Sequence, residues 1–329
     1  MRKVLLATTA LATIGGVAAV ATADVTISGA AEWRYNSVSD DYTSRTSDSY
    51  MAVANDVTIS FSTTTDSGLT FGVTQNWGDG TGATATSTIS GDFGTIEWTE
   101  GSNSMHAGSA YDVTSVGISG GHGDLSGYTL VNAAGTAITS VGTDEALITD
   151  AENGALNYHS PSFGGLTFGL GVSHLSTSDD NTSTSFGAKY STEMMGATVT
   201  LGVATYDGVA SESDGSHVGA NIKYGDITFG IGSASNKSSA TSKEEVVSYS
   251  VNYAMSSDIT LNIGQANAEN KGAAAASDDA ELTNTTIGIK YSIAPGLYAT
   301  LSSHTFEFKT GGSVNNDGQV TQAEIKMSF

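Results

Sequence analysis

Apolar and polar positions alternate along most of the chain. In "VTISGAAEWRY", Val25, Ile27, Gly29, Ala31, Trp33 and Tyr35 share one side of an extended strand, and Thr26, Ser28, Ala30, Glu32 and Arg34 share the other. "LTFGVTQNW" sets Leu69, Phe71, Val73 and Trp77 against Thr70, Gly72, Thr74 and Asn76. The same period returns in "LTFGLGV" at 166–172, "ATVTLGV" at 197–203, "ITFGIG" at 227–232 and "ITLNIG" at 259–264. A period of two held over such lengths marks half-buried β-strands.

The strands come in a quasi-repeat. A strand ends on an aromatic, a short turn of Gly, Asp, Pro or Ser follows, and an alternating strand leaves. "FSTTTDSGLTFG", "YHSPSFGGLTFG", "KYGDITFGIG" and "YSIAPGLYATLS" all read this way. The spacing of the outgoing strands fits one hairpin of two ~10-residue strands with a short turn and a longer loop. Sixteen strands are predicted, starting near 25, 51, 69, 83, 94, 154, 165, 183, 197, 216, 227, 245, 258, 282, 297 and 320. Longer polar loops are expected at 37–49, 176–181, 207–214, 235–243, 268–280 and 309–319. In the fifteenth strand the apolar phase slips between Leu301 and Phe306, which suggests a bulge or a misplaced boundary.

Soluble sandwiches and barrels alternate too. What separates the cases is the face that would be buried. Here the polar faces carry Arg34, Glu97, Lys189, Lys223, Lys290, Glu307, Glu324 and Lys326. Sixteen strands enclose more volume than side chains fill, so a charged interior implies water inside and an apolar face turned to lipid. Only a closed sheet then pairs every backbone amide. Tyr190, Tyr224, Tyr253 and Tyr291 end strands just before short turns and read as an interfacial aromatic girdle. The reading is therefore all-β: a transmembrane 16-stranded antiparallel β-barrel.

Composition agrees. The 329 residues include 40 Gly, 2 Pro and no Cys, with a formal charge of −22. So acidic a chain repels nucleic acid and attracts cations. Arg2-Lys3, an apolar stretch and Ala21-Thr22-Ala23 read as a signal peptide over 1–23, cleaved between Ala23 and Asp24. Residues 24–329 then form the barrel, exported through the periplasm.

The sequence also resembles the Gram-negative general porins, most closely the alphaproteobacterial type. The likeness is carried by "FSTTTDSGLTFG" at 61–72, "ISGDFGTIEW" at 89–98, "AEWRYN" near the mature start and the closing "IKMSF". The resemblance implies a homotrimer of outer-membrane barrels, with short turns in the periplasm and long loops outside. It implies that the strand ending in Phe329 is the signal read by the barrel assembly machinery. It implies passive passage of small hydrophilic solutes and ions, not catalysis.

One stretch departs from the hairpin repeat. Residues 101–152 form a loop far longer than the rest, and such loops are usually functional or disordered. The resemblance implies that it folds into the barrel as a constriction. It carries Asp112, Asp124, Asp144, Glu145, Asp150 and Glu152, lies next to Glu97 and Glu100, and holds no Lys or Arg. In the family such acids face wall arginines. This chain has two beyond the signal, Arg34 with lumen phase and Arg45 in a loop. Lys189, Lys223, Lys290 and Lys326 stand near strand ends, at the periplasmic mouth. A net negative constriction selects cations. Asp40-Asp41, Asp179-Asp180 and Asp278-Asp279 offer carboxylate oxygens suited to Ca²⁺ in outer loops, although such pairs are more often only solvated. No serine–histidine–acid set or metal-binding histidine spacing stands out, so no enzyme is expected. The alternatives are a solute-specific porin and a secreted or surface β-rich structural protein.

Overall fold

A computed structural model describes residues 24–40, 49–78, 84–100, 109–114, 154–174, 182–208, 214–239, 242–271, 280–311 and 313–329. Sixteen strands run in chain order: β1 (Asp24–Asp40), β2 (Ser49–Thr64), β3 (Thr70–Gly78), β4 (Thr84–Gly91), β5 (Gly94–Glu100), β6 (Gly154–His159), β7 (Leu166–His174) and β8 (Thr182–Met194). They continue with β9 (Ala197–Asp207), β10 (Asp214–Tyr224), β11 (Ile227–Ser239), β12 (Ser242–Ala254), β13 (Ile259–Lys271), β14 (Ala280–Ala294), β15 (Leu297–Thr310) and β16 (Ser313–Ser328). Each pairs antiparallel with its neighbours, and β1 pairs with β16, so the sheet closes into a barrel. Residues 109–114, which begin with the 3₁₀ turn Ser109–Tyr111, are the described part of the long connection between β5 and β6.

The burial pattern is inverted relative to a soluble protein. Ile27, Ile263 and Leu301 are 62%, 51% and 52% exposed, while Asn36 and Asn284 are fully buried. The alternation read in the sequence is therefore real, with its apolar face outward. Tyr190, Tyr224, Tyr253 and Tyr291 are all exposed at the short-turn end, as a girdle requires. No described helix is long and apolar enough to cross a membrane, and the crossing is made by strands.

Turn chemistry fixes the hairpins. Gly165 has φ +93°, and a Cβ there would fall 2.1 Å from the Ser191 carbonyl oxygen, so a side chain is excluded twice over. At the seam, the main chains of Gly29 and Phe329 exchange both hydrogen bonds at 3.0 Å. The Phe329 ring lies on Gly29, where a Cβ would come within 2.8 Å of it.

Several boundaries move. β11, β12 and β13 run on into residues read as loop, and β16 begins at Ser313, not near 320. Hairpin pairing extends the ladders beyond the apolar pattern, because strands above the membrane no longer need apolar faces. In β15 the register with both neighbours holds from Leu301 to Phe308, and the ladder with β16 shifts between Phe308 and Lys309. Leu301 therefore faces outward and Phe306 inward with no bulge between them. Glu307, read as a lumen residue, falls in the outward row with Leu301 and pairs with Lys309 at 2.5 Å.

Phe306 and Phe308 join Val38, Val246, Leu282 and Val320 in a buried apolar cluster on the inner wall. This part of the lumen face is not polar, contrary to the simple alternation rule. Inward residues on β2 behave differently, since Ala54 and Asp56 are exposed. The wall open to water therefore includes β2.

Candidate functional site: the inner wall and its loop

The long loop turns inward, as its described segment shows. Residues 109–114 lie against the inner faces of β7 to β10. Tyr111 Oη donates to the Phe168 carbonyl at 2.7 Å and lies 3.2 Å from His159 Nδ1. Its ring stacks on that imidazole with centroids 5.9 Å apart. Burial raises the Tyr111 pKa, with Tyr158 adding to the shift, so the group stays a hydroxyl at neutral pH. The Lys189 ammonium donates to the Ala110 carbonyl at 3.3 Å. The Val113 amide donates to His217 Nε2 at 3.0 Å.

The seat is made of glycine. A Cβ on Gly202 would lie 2.4 Å from Val113 Cγ2, and one on Gly219 would lie 1.7 Å from the Val113 carbonyl oxygen. The segment can approach β9 and β10 this closely only where both side chains are missing. "GVAT" and "VGAN" carry these residues in the sequence, but nothing local marks them as a contact for a segment some ninety residues earlier.

A second group lies at the junction of β1 and β16. Arg34 Nε donates to Glu324 Oε2 at 2.9 Å and also pairs with Glu32. Lys326 reaches Glu32 at 3.3 Å. Lys290 sits 3.8 Å from the centroid of the Tyr298 ring, a cation–π contact. Lys223 falls in the inward row of β10, beside the short turn after Tyr224. On β5, Glu97 accepts from Asn157 Nδ2 at 3.3 Å and lies 3.9 Å from His159 Nε2.

The main chain of Glu100 pairs with Ala85 and Gly154 at the end of β5. Asp112 belongs to the inward segment. Asp124, Asp144, Glu145, Asp150, Glu152, Asp179, Asp180, Asp278, Asp279 and residues 1–23 lie outside the described residues. Among the inward acids not singled out in the sequence are Glu32, whose parity with Arg34 was visible, and Asp56. Asp56 is exposed on the inner face of β2 and makes no ion pair among the described residues. Its parity in "MAVANDVTISF" opposes Val53, Val57 and Ile59, and that was the available signal.

A family model described as Gram-negative porin matches residues 7–311. Among solved structures, a mutant of Rhodobacter blastica porin is 19% identical, with TM-score 0.61, covering 93% of this chain and 100% of its own. A loop-deletion form of OmpT, an outer membrane protein of Vibrio cholerae, is 11% identical with TM-score 0.65, covering 93% of this chain and 99% of its own. At these identities the likeness to solved structures concerns the fold. No curated protein matches the chain.

Proposed function

The chain belongs to the Gram-negative porin family of outer-membrane channels, and from that premise we propose that it is a passive, cation-preferring diffusion pore for ions and small hydrophilic solutes. The observation that carries the preference is the pairing of the wall charges. Arg34 is held between Glu32 and Glu324, and Lys326 shares Glu32. These cations are largely neutralised by their own carboxylates. Asp56 stands exposed without such a partner among the described residues. An uncompensated carboxylate in a low-dielectric-walled pore raises the local cation concentration.

Single channels in a KCl gradient test this. The reversal potential is expected to favour K⁺ and to shrink with salt, because the Debye length falls from about 10 Å at 0.1 M to about 3 Å at 1 M. Asp56→Asn should reduce it further. Anion selectivity, or an unchanged potential in Asp56→Asn, would overturn the mechanism. Saturable block by one solute would favour the solute-specific reading.

The family premise supports assembly as a trimer and delivery by the barrel assembly machinery, with Phe329 as part of the recognised strand. Arg2-Lys3, the apolar stretch and Ala21-Thr22-Ala23 support processing before Asp24. N-terminal sequencing of outer-membrane material is expected to begin at Asp24. A start at Met1 would refute the cleavage.

A further inference from the structure

The outward face of β10 to β14 is not uniformly apolar. One row across it reads Ile222, Phe229, Val251, Ile263 and Ile287 in register. The next row reads Ala220, Ile231, Tyr249, Gln265 and Thr285, and the one beyond includes Asn267 opposite Thr283. Gln265 stands four residues beyond Leu261, the partner of girdle residue Tyr253, and six beyond Ile259, the partner of Tyr291. With a rise of ~3.4 Å per residue and a strand tilt of ~40°, that is about 10–16 Å above the girdle, within a lipid-facing band about 25 Å tall. Two side-chain amides are therefore set among lipid tails, which offer no hydrogen bonds.

The amides are joined to one another. Tyr249 Oη donates to Gln265 Oε1, Gln265 Nε2 donates to Asn267 Oδ1 at 3.4 Å, and Thr283 Oγ1 donates to the same oxygen at 3.2 Å. Both amide oxygens are thus occupied, whereas these contacts use a single amide hydrogen, on Gln265. The other side-chain N–H groups are donors on an apolar surface, and whatever completes them must bring acceptors. Next to them lies a cleft of about 420 Å³, lined by Phe229, Ile231, Val251 and Ile263 and, at the amide end, by Tyr249 and Gln265 itself.

We propose that this cleft holds one zwitterionic phospholipid as a fixed ligand, with an acyl chain along Phe229 and Ile263 and its ester carbonyls accepting from Gln265 and Asn267. Three features select that occupant. The cleft is continuous with the lipid-facing surface, because the exposed girdle residues Tyr224 and Tyr253 lie two positions from Ile222 and Val251 on the same strands. The border beyond the amides carries charge of both signs. Glu245, Glu269 and Glu281 lie side by side in register, Lys243 reaches Glu245 at 2.7 Å, and Lys309 is opposite Glu281. A head with one charge of each sign suits that border better than a polyanionic one. The apolar run is also short here, since Gln265 ends it after Ile263, and a bilayer thins to meet a short apolar stretch. Thinning brings the ester level down to the amides. The site is independent of the cation preference proposed above.

The test is native mass spectrometry of the delipidated full protein incubated with dilauroylphosphatidylcholine, whose short chains match a thin band. The wild type is expected to keep one lipid per chain after loosely held lipid has been stripped. Gln265→Leu combined with Asn267→Leu removes the donors and should lower retention at least about tenfold. Ile231→Trp fills the cleft and should do the same, while Leu170→Trp, outward on β7, should change nothing. Equal retention in the wild type and both cleft variants would mean ordinary boundary lipid and overturn the site. Displacement of the phospholipid by lipopolysaccharide would overturn the zwitterionic occupant. Disulfide-linked pairs of Ile231→Cys, in a chain with no other cysteine, would put a second copy in the cleft and overturn it too. A wild type that keeps its lipid but does not conduct would overturn the channel reading and leave the site standing.

Discussion

Replacing Leu170 by Arg is expected to cost about 2–4 kcal/mol of folding free energy, because Leu170 faces hydrocarbon near the middle of β7. It is 51% exposed and pairs across the ladder with Tyr158 and Phe186, both in the outward row. Thr58→Arg is the matched control. Thr58 faces inward on β2, two residues from exposed Asp56, so an arginine there meets water and a carboxylate. Its cost should stay below about 1 kcal/mol. Neighbouring Gly169 is a poorer control, because it faces inward but is buried. A denaturant titration in lipid vesicles, followed by the fluorescence of Trp33, Trp77 and Trp98, gives both values. Equal destabilisation at the two positions would reverse the assignment of faces.

Gly219→Ala is expected to empty the seat of the inward segment. The added Cβ would fall 1.7 Å from the Val113 oxygen and 2.8 Å from its carbonyl carbon, both main-chain atoms that cannot rotate away. Overpacking of this kind costs about 1–3 kcal/mol. The seat holds by one main-chain hydrogen bond and the packing of Val113, which is a similar amount. The protein has no cysteine, so Val113→Cys supplies a unique reporter. Adding Gly219→Ala to that background should raise its rate of thiol labelling at least about tenfold, the equivalent of about 1.4 kcal/mol. An unchanged rate would mean that the segment does not depend on this contact.

The strand count and the outward face were legible because lipid imposes period two and closure leaves no free edge, whereas the inward course of the long loop was implied only by the resemblance to the porins. Glu307 was misplaced because acidic character suggests a lumen, whereas parity decides the face. Phe306 shows the converse: an aromatic with inward parity looks like a phase error until the register excludes one. The seat for Val113 was invisible for another reason. Gly202 and Gly219 are two among 40 glycines, and only the path of the loop distinguishes them. His217 carried no motif, and its importance comes from which nitrogen meets an amide.

The junction of β1 and β16 has a consequence for how the barrel assembles. Other neighbouring strands are consecutive in the chain, but here Arg34 meets Glu324 across 290 residues. Closing so long a loop costs about 3 kcal/mol more than closing a ten-residue hairpin, which makes this the last ladder to zip. Until then two unpaired edges can also mate out of step. The charges at the join act against that error. In the native alignment Glu32 is opposite Lys326 and Arg34 is opposite Glu324. A slip of one residue turns every side chain to the wrong face. A slip of two keeps the faces but sets Arg34 against Lys326 in one direction and Glu32 against Glu324 in the other. Like charges directly opposed are unfavourable on a ladder, so the four residues work as a keyed closure that admits a single alignment of the ring.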